Sequence, residues 1–188
     1  MIISKKAQQW LDGIDLISMA EVLRMTGEKR DATRKVWIDC NDDIQKHMLW
    51  SDYQNLDNSE KILRWKYEFL KTIVDGAKTG KLYAMECLWS DVNPFEVVEI
   101  KSEKTFVVRA MNAELTEKAK ENLQKSFVPG GFFGHTDNDQ QEWIITPNVT
   151  AGTFEIRYHN SKREIGFYRS HIYYRLANEP YKKYDYNF

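Results

Sequence analysis

Apolar positions recur every three or four residues through the first part of the chain, and alternate in shorter runs from Lys81 onward. The first period belongs to helices and the second to strands. Ser4 is placed to cap a short helix through Ala7, Trp10 and Leu11 to about Gly13. A second helix is expected over Asp15–Thr26, carried by Leu16, Met19, Ala20, Val22 and Leu23 and closed by Gly27. A third is expected to start at Asn41 or Asp42 and to hold Ile44, Met48 and Leu49. The segment SDYQNLDNSE reads as a loop, with Asp57 and Glu60 as a capping-box pair for the next helix. That helix carries a stripe of Ile62, Trp65, Phe69, Leu70 and Ile73 and is expected to end near Gly76 or Gly80.

In the second half, LYAMECLW alternates loosely and Asn93-Pro94 marks a turn. FEVVEI and FVVRAM, joined by KSEKT, give a hairpin signal. AELTEKAKENLQKS is expected to form a short exposed helix, followed by a loop through FVPGGFFGHTDNDQQ. Four more strands are expected at Trp143–Thr146, Thr153–His159, Ile165–Arg169 and His171–Arg175, with Asn160-Ser161-Lys162 as a turn. The pattern therefore predicts an α+β chain. A helical domain covers residues 1–80, and a β-rich domain covers 81–188. The latter is a small antiparallel sheet or an SH3-like barrel with one inserted helix.

Composition narrows the chemistry. Apolar residues make up 42% of the 188, enough for a packed core without staples. Six tryptophans and ten tyrosines favour an aromatic core and also suit interfaces. With 27 basic against 28 acidic residues the net charge is −1, so any nucleic-acid contact must come from a local patch. Cys40 and Cys87 follow no paired spacing and read as two buried thiols of a reducing compartment. The amino terminus lacks a signal-peptide core, and no apolar run reaches membrane-spanning length. The expected setting is the cytoplasm, with no membrane partner.

Several segments are candidates for function. Helix, Gly27 turn and the basic run EKRDATRK outline a helix-turn-helix, with Arg30, Arg34 and Lys35 as nucleic-acid contacts. Against it stand Thr33 at a position normally aliphatic, and Asp39, Asp42 and Asp43, which repel phosphate. A solvated helix face is the plainer reading. His135, beside Gly130-Gly131 and the polar run Asp137–Gln141, is a candidate general acid or base. With His159 and either Arg157 or Lys162 it makes a candidate catalytic set for a metal-independent ribonuclease. Polar side chains that satisfy a buried loop are the structural alternative. Asp137 and Asp139 beside His135 lack metal-site spacing, and neither a phosphate-binding glycine loop nor a nucleophile elbow is present. No metal or cofactor is expected. The later strands interleave Arg157, His159, Arg169, His171 and Arg175 with Tyr158, Tyr168, Tyr173 and Tyr174. Alternation puts Arg157 with His159, and groups Arg169, His171 and Tyr173, as a possible face for RNA or single-stranded DNA. The aromatic tail YKKYDYNF is expected to dock onto the β-domain.

VPGGFFGHTDNDQQEW at Val128–Trp143 and YDYNF at Tyr184–Phe188, with the strand opening at Trp89–Ile100, resemble a group of small phage and prophage proteins. These share a GGFxGH-type loop and a YDYNF end. The resemblance covers Trp89 to Phe188 and implies origin rather than a reaction. It raises the expectation of an accessory protein that inhibits a host defence effector, in the manner of anti-CRISPR proteins. Such a protein binds its host target, a protein or a ribonucleoprotein, and Trp65, Arg169 and Tyr173 are the expected partner-binding anchors.

Overall fold

A computed structural model describes residues 1–126, 141–160 and 165–184. Its elements are β1 (Ile2–Ile3), α1 (Lys5–Asp12), α2 (Leu16–Asp39), α3 (Asp43–Thr79), β2 (Tyr83–Cys87), β3 (Val92–Ser102), β4 (Thr105–Leu115), α4 (Glu117–Ser126), β5 (Trp143–Pro147), β6 (Thr153–Asn160), β7 (Ile165–Arg169) and β8 (Ile172–Ala177). The chain divides into two compact units. One is Gly13–Lys71, and the other joins Met1–Asp12 to Thr72–Phe188. The amino-terminal residues belong with the strands because Ile2 and Ile3 pair in parallel with Glu99 and Ile100 of β3. Ser4 then accepts a hydrogen bond from the Ala7 amide and caps α1, as its position predicts.

Helix α2 and α3 as far as Lys71 lie in the first unit, and both run through expected breaks. α2 continues past Gly27 to Asp39, so the helix-turn-helix outline is absent. Arg30, Arg34 and Lys35 lie on one uninterrupted helix. α3 continues through SDYQNLDNSE, so Asp57 and Glu60 sit inside a 37-residue helix and cap nothing. The true caps are Asp15, whose carboxylate accepts from the Ser18 amide, and Asp42, which accepts from the Gln45 amide.

A heptad seam explains the continuity. The more shielded residues of α2 include Leu16, Met19, Leu23, Thr26, Arg30, Thr33 and Trp37, spaced three and four apart, with Ala20 and Gly27 beside them. Those of α3, where Trp65, Phe69 and Leu70 are shielded as well, include Lys46, Leu49, Tyr53, Leu56, Glu60, Leu63 and Tyr67 at the same spacing. That is the signature of a two-stranded coiled coil. Its middle is polar: Glu60 is 4% exposed and meets Arg30 at 2.6 Å and Arg64 at 2.5 Å. Near the connection between the helices, Trp37, Trp50 and Tyr53 pack ring on ring.

The strands of the second unit close into a six-stranded antiparallel barrel. Around it the order is β3-β2-β8-β7-β6-β4, and β4 pairs with β3 to complete the circle. β5 adds to the far end of β4, opposite Met111–Leu115. Register shifts between Val97 and Glu99 and between Ile100 and Ser102 supply the bend that closure needs. The expected β3–β4 hairpin is present, with Ser102 opposite Thr105. The expected turn at Asn93-Pro94 is not. Pro94 lies within β3 opposite Met85, before the stretch that also pairs with β4, where a missing amide leaves no ladder bond unmade.

The middle of the barrel interior is apolar, with Glu86 and Arg169 on the same inner face. Phe106, Phe167, Ile100, Ile156, Val108 and Ala84 are fully buried there. Phe106 and Phe167 pack at 4.3 Å, and Phe95, Phe154 and Tyr174 meet edge to face. Burial and the Glu86 carboxylate, to which its hydroxyl donates, raise the Tyr174 phenol well above the usual range. Cys40 and Cys87 are free and only half-buried, not the deeply buried thiols expected.

β7 and β8 are joined by Ser170 and His171, both with positive φ (48° and 70°). His171 is thus a turn residue rather than the start of a strand. A two-residue hairpin turn with two positive φ values is normally Asn-Gly, because other side chains resist that conformation. The variant Ser170→Asn/His171→Gly is expected to gain about 0.5–1 kcal/mol by relieving this strain. A rise in the urea midpoint at unchanged slope is the check.

Candidate nucleic-acid interface on the barrel

Side chains that face away from the barrel interior form a row across five strands. Register places Cys87 beside Tyr173, Tyr173 beside Tyr168, Tyr168 beside Arg157, and Arg157 beside Thr105. Cross-strand partners share a face, so these groups stand together on the outside of the wall. Tyr168 and Tyr173 pack at 5.4 Å, and the His159 ring meets Tyr168 edge-on at 5.6 Å. The Arg175 guanidinium lies 5.2 Å from the centre of the Tyr181 ring.

The smallest residue of the row's neighbourhood lets the aromatic layer lie flat. A Cβ on Gly166 would come within 2.4 Å of the Tyr173 ring, so that ring rests directly on the β7 backbone. Bulk at position 166 would lift the tyrosine off the wall. Burial is the main cause that raises the Tyr173 phenol above its ordinary range, with Cys87 and Tyr168 adding to it and Arg175 opposing. Burial likewise raises the Cys87 thiol, which keeps it protonated and a poor nucleophile despite the nearby Arg175.

The charge of this face is mixed but net basic. Arg157 is 71% exposed and reaches Glu155 at 3.2 Å, while Lys101 meets the same carboxylate at 2.9 Å. These two cations hold the Glu155 carboxyl below the usual range. The cations Arg157, Arg175 and Lys101 stand here with two acids, Glu155 and, near Lys101, Glu99. Exposed cations next to aromatic rings are the groups that meet phosphates and bases of a single strand.

Of the residues proposed from sequence, Arg157 and His159 do share a face, as strand alternation requires. Tyr173 belongs to the same surface. Arg169 does not: it pairs with Ile172 across the turn, and its guanidinium lies 3.9 Å from the centre of the Phe154 ring, over the interior aromatics. Arg169 and Tyr173 thus stand on opposite faces of the wall. Trp65 belongs to the helical unit and stacks on Phe69 at 5.1 Å. Arg30 is engaged by Asp31 and Glu60, while Arg34 and Lys35 are exposed. His135, with Asp137 and Asp139, lies outside the described residues, as do the turn at Ser161-Lys162 and the terminal Tyr186 and Phe188. What is described of the tail does dock. Lys183 bridges to Val92, the Tyr184 amide donates to the Gln141 side chain, and the Gln141 amide donates back to the Tyr184 carbonyl.

Two members of the surface were missed from sequence. Tyr168 and Arg175 were noted only as part of a mixed run, because no strand register was known. Among the described residues no group of three His, Cys, Asp or Glu could hold a metal ion, and no helix is long and apolar enough to cross a membrane. The chain matches no family model, no curated protein and no solved structure.

Proposed function

We propose that this protein is a phage or mobile-element accessory protein that inhibits a host defence effector by binding it. The outer face of β6–β8 is its contact surface, and the effector's nucleic acid is part of what that face meets. The observation that carries this reading is the row of Arg157, Tyr168 and Tyr173, flanked by His159 and Arg175. An aromatic ring gives affinity for any unpaired base that stacks on it, and the arginines meet the backbone phosphates. Such a surface suits a ligand that displays single-stranded nucleic acid, as a guide-loaded nucleoprotein does. The resemblance of Val128–Trp143 and Tyr184–Phe188 to phage and prophage proteins supports the setting in a host cell.

The test is fluorescence anisotropy with labelled single-stranded RNA and DNA against duplex controls. Single strands are expected to bind, more weakly as salt rises. Arg157→Glu with Arg175→Glu is expected to lower affinity at least about tenfold and to flatten the salt dependence, by roughly 0.7 in logarithmic slope per lost phosphate contact. Tyr168→Ala is expected to lose about 1–3 kcal/mol of binding, the usual worth of one stacked base. Equal affinity of all three proteins would remove this face from the account.

A second reading draws on the closeness of Arg157 and His159 on β6. A cation beside an imidazole is part of what a metal-independent ribonuclease needs, and His135 would complete its acid–base pair. RNA cleavage that persists in EDTA and is lost in both His135→Ala and His159→Ala would establish it. Binding without cleavage favours the inhibitor.

A further inference from the structure

Trp89 has no place in the core and no role in its turn. Its side chain is 95% exposed, while Trp50, the next most open of the six tryptophans, is 39% exposed. The Leu88 amide donates to the Asp91 carbonyl at 2.9 Å, directly beyond the pair of Cys87 and Val92. The β2–β3 connection therefore closes to a two-residue tip of Trp89 and Ser90. Gly, Asn, Asp and Ser fill such tips, because their backbones and short side chains suit a tight turn. A large apolar ring does nothing for the turn and leaves its whole surface in water. It gains free energy only when a ligand covers it.

The tip is braced. Val92 and Lys183 exchange backbone hydrogen bonds of 2.9 and 3.1 Å, which fix the strand start after the tip to the carboxyl-terminal tail. A ring on a braced tip gives up little freedom when it binds, and that favours affinity.

Position and surroundings indicate the ligand. Cys87 ends β2 opposite Tyr173, a ring of the outer row. Trp89 follows Cys87 by two residues, so its backbone lies within about 7 Å of that end of the row. Two cations stand on the neighbouring segments: Arg175, two residues along β8 from Tyr173, and Lys183, paired with Val92. Within the turn only Leu88 is apolar, beside Ser90 and the acid Asp91, which is too little for the water-excluding rim of a protein hot spot. A nucleobase needs one open ring face and tolerates polar surroundings. In the row itself such faces are partly taken, since Tyr173 rests on the β7 backbone at Gly166 and packs against Tyr168.

We infer that Trp89 is a base-stacking group, and that the single strand met by the row runs on past Tyr173 to the β2–β3 tip, where an unpaired base lies on the indole. The inference rests on the reading of the β6–β8 face as a nucleic-acid surface and adds to it a contact outside the row.

The experiment is fluorescence anisotropy with a labelled oligothymidylate of about ten nucleotides, within the span that small barrels cover, and an abasic strand of equal length. The native chain is expected to prefer the thymidylate. Trp89→Ala is expected to bind the thymidylate about fivefold or more weakly, the least that one stacked base contributes. Its affinity for the abasic strand and its salt dependence are expected to match those of the native chain, because no charge is removed. Trp89→Phe keeps a ring and is expected to recover most of the lost affinity. Both variants are expected to keep the native circular dichroism, since the side chain is exposed. Native affinity in Trp89→Ala, while Tyr168→Ala and Arg157→Glu with Arg175→Glu lose theirs, would overturn the inference and leave the barrel face standing. An equal loss for thymidylate and abasic strands would also overturn it, because the indole would then act without a base. Failure of the native chain to bind either strand would remove the face and the inference together.

Discussion

Replacing Phe106 with alanine is expected to destabilise the barrel by about 3–5 kcal/mol, the largest effect of any single truncation considered for this chain. Phe106 sits on β4 between Ile100 of β3 and Ile156 of β6. Phe167 sits on β7 between Tyr158 and Tyr174. Neither residue is exposed at all, and their rings meet at 4.3 Å. One contact therefore joins strands on different parts of the wall. Removing one ring loses its transfer energy and leaves a void, because a closed wall has little freedom to collapse inward. Urea unfolding followed by near-ultraviolet circular dichroism is the measurement. Phe106→Leu, which keeps most of the volume, is expected to cost under about 1.5 kcal/mol. Equal losses for the two variants would mean that interior packing does not hold the barrel closed.

The strands of that barrel were legible because each carries its own evidence. Period-two alternation in FEVVEI and FVVRAM, and the short polar joint between them, give the β3–β4 hairpin without tertiary information. Closure was not legible. It depends on β3 pairing with both β2 and β4, and on register shifts that no local pattern announces. The added parallel strand at Ile2-Ile3 is invisible for the same reason, since two residues carry no period.

The same distinction runs through the candidate interface. Arg157 and His159 lie two apart on one strand, so alternation alone puts them together. Arg169 and Tyr173 are four apart in sequence, and counting by twos groups them on one face. The intervening Ser170-His171 turn breaks the count. Arg169 and Ile172 become cross-strand partners and share the inner face, which sends Tyr173 to the outer one. An unrecognised two-residue turn without glycine is enough to exchange the two faces.

In the helices the seam is partly polar, so apolar positions alone do not trace it. Thr26, Arg30 and Thr33 continue the α2 seam through Gly27, and Glu60 continues that of α3 through a segment rich in Ser, Asn and Asp. A Cβ at Gly27 would stand 3.5 Å from the Glu60 carboxylate, so the glycine faces its partner helix and ends nothing. Polar side chains kept the period, and their identity concealed it.

That seam carries the second large prediction. Glu60→Ala is expected to cost about 1.5–3 kcal/mol, the range of charge-assisted hydrogen bonds, because it strips both Arg30 and Arg64 of their shared carboxylate. The expected outcome differs when both sides of the pair are changed. A buried ion pair is stabilised by its Coulomb attraction but costs the desolvation of two charges, and well-packed apolar replacements commonly equal or exceed it. Arg30→Met with Glu60→Leu should therefore be at least as stable as the native chain, while either change alone is less stable. A double variant as unstable as the singles would mean the pair itself holds the hairpin together. A more stable double variant that no longer gives a single well-resolved NMR spectrum would assign the pair to register: the ion pair at the polar middle of the seam keeps α2 and α3 from sliding by a heptad.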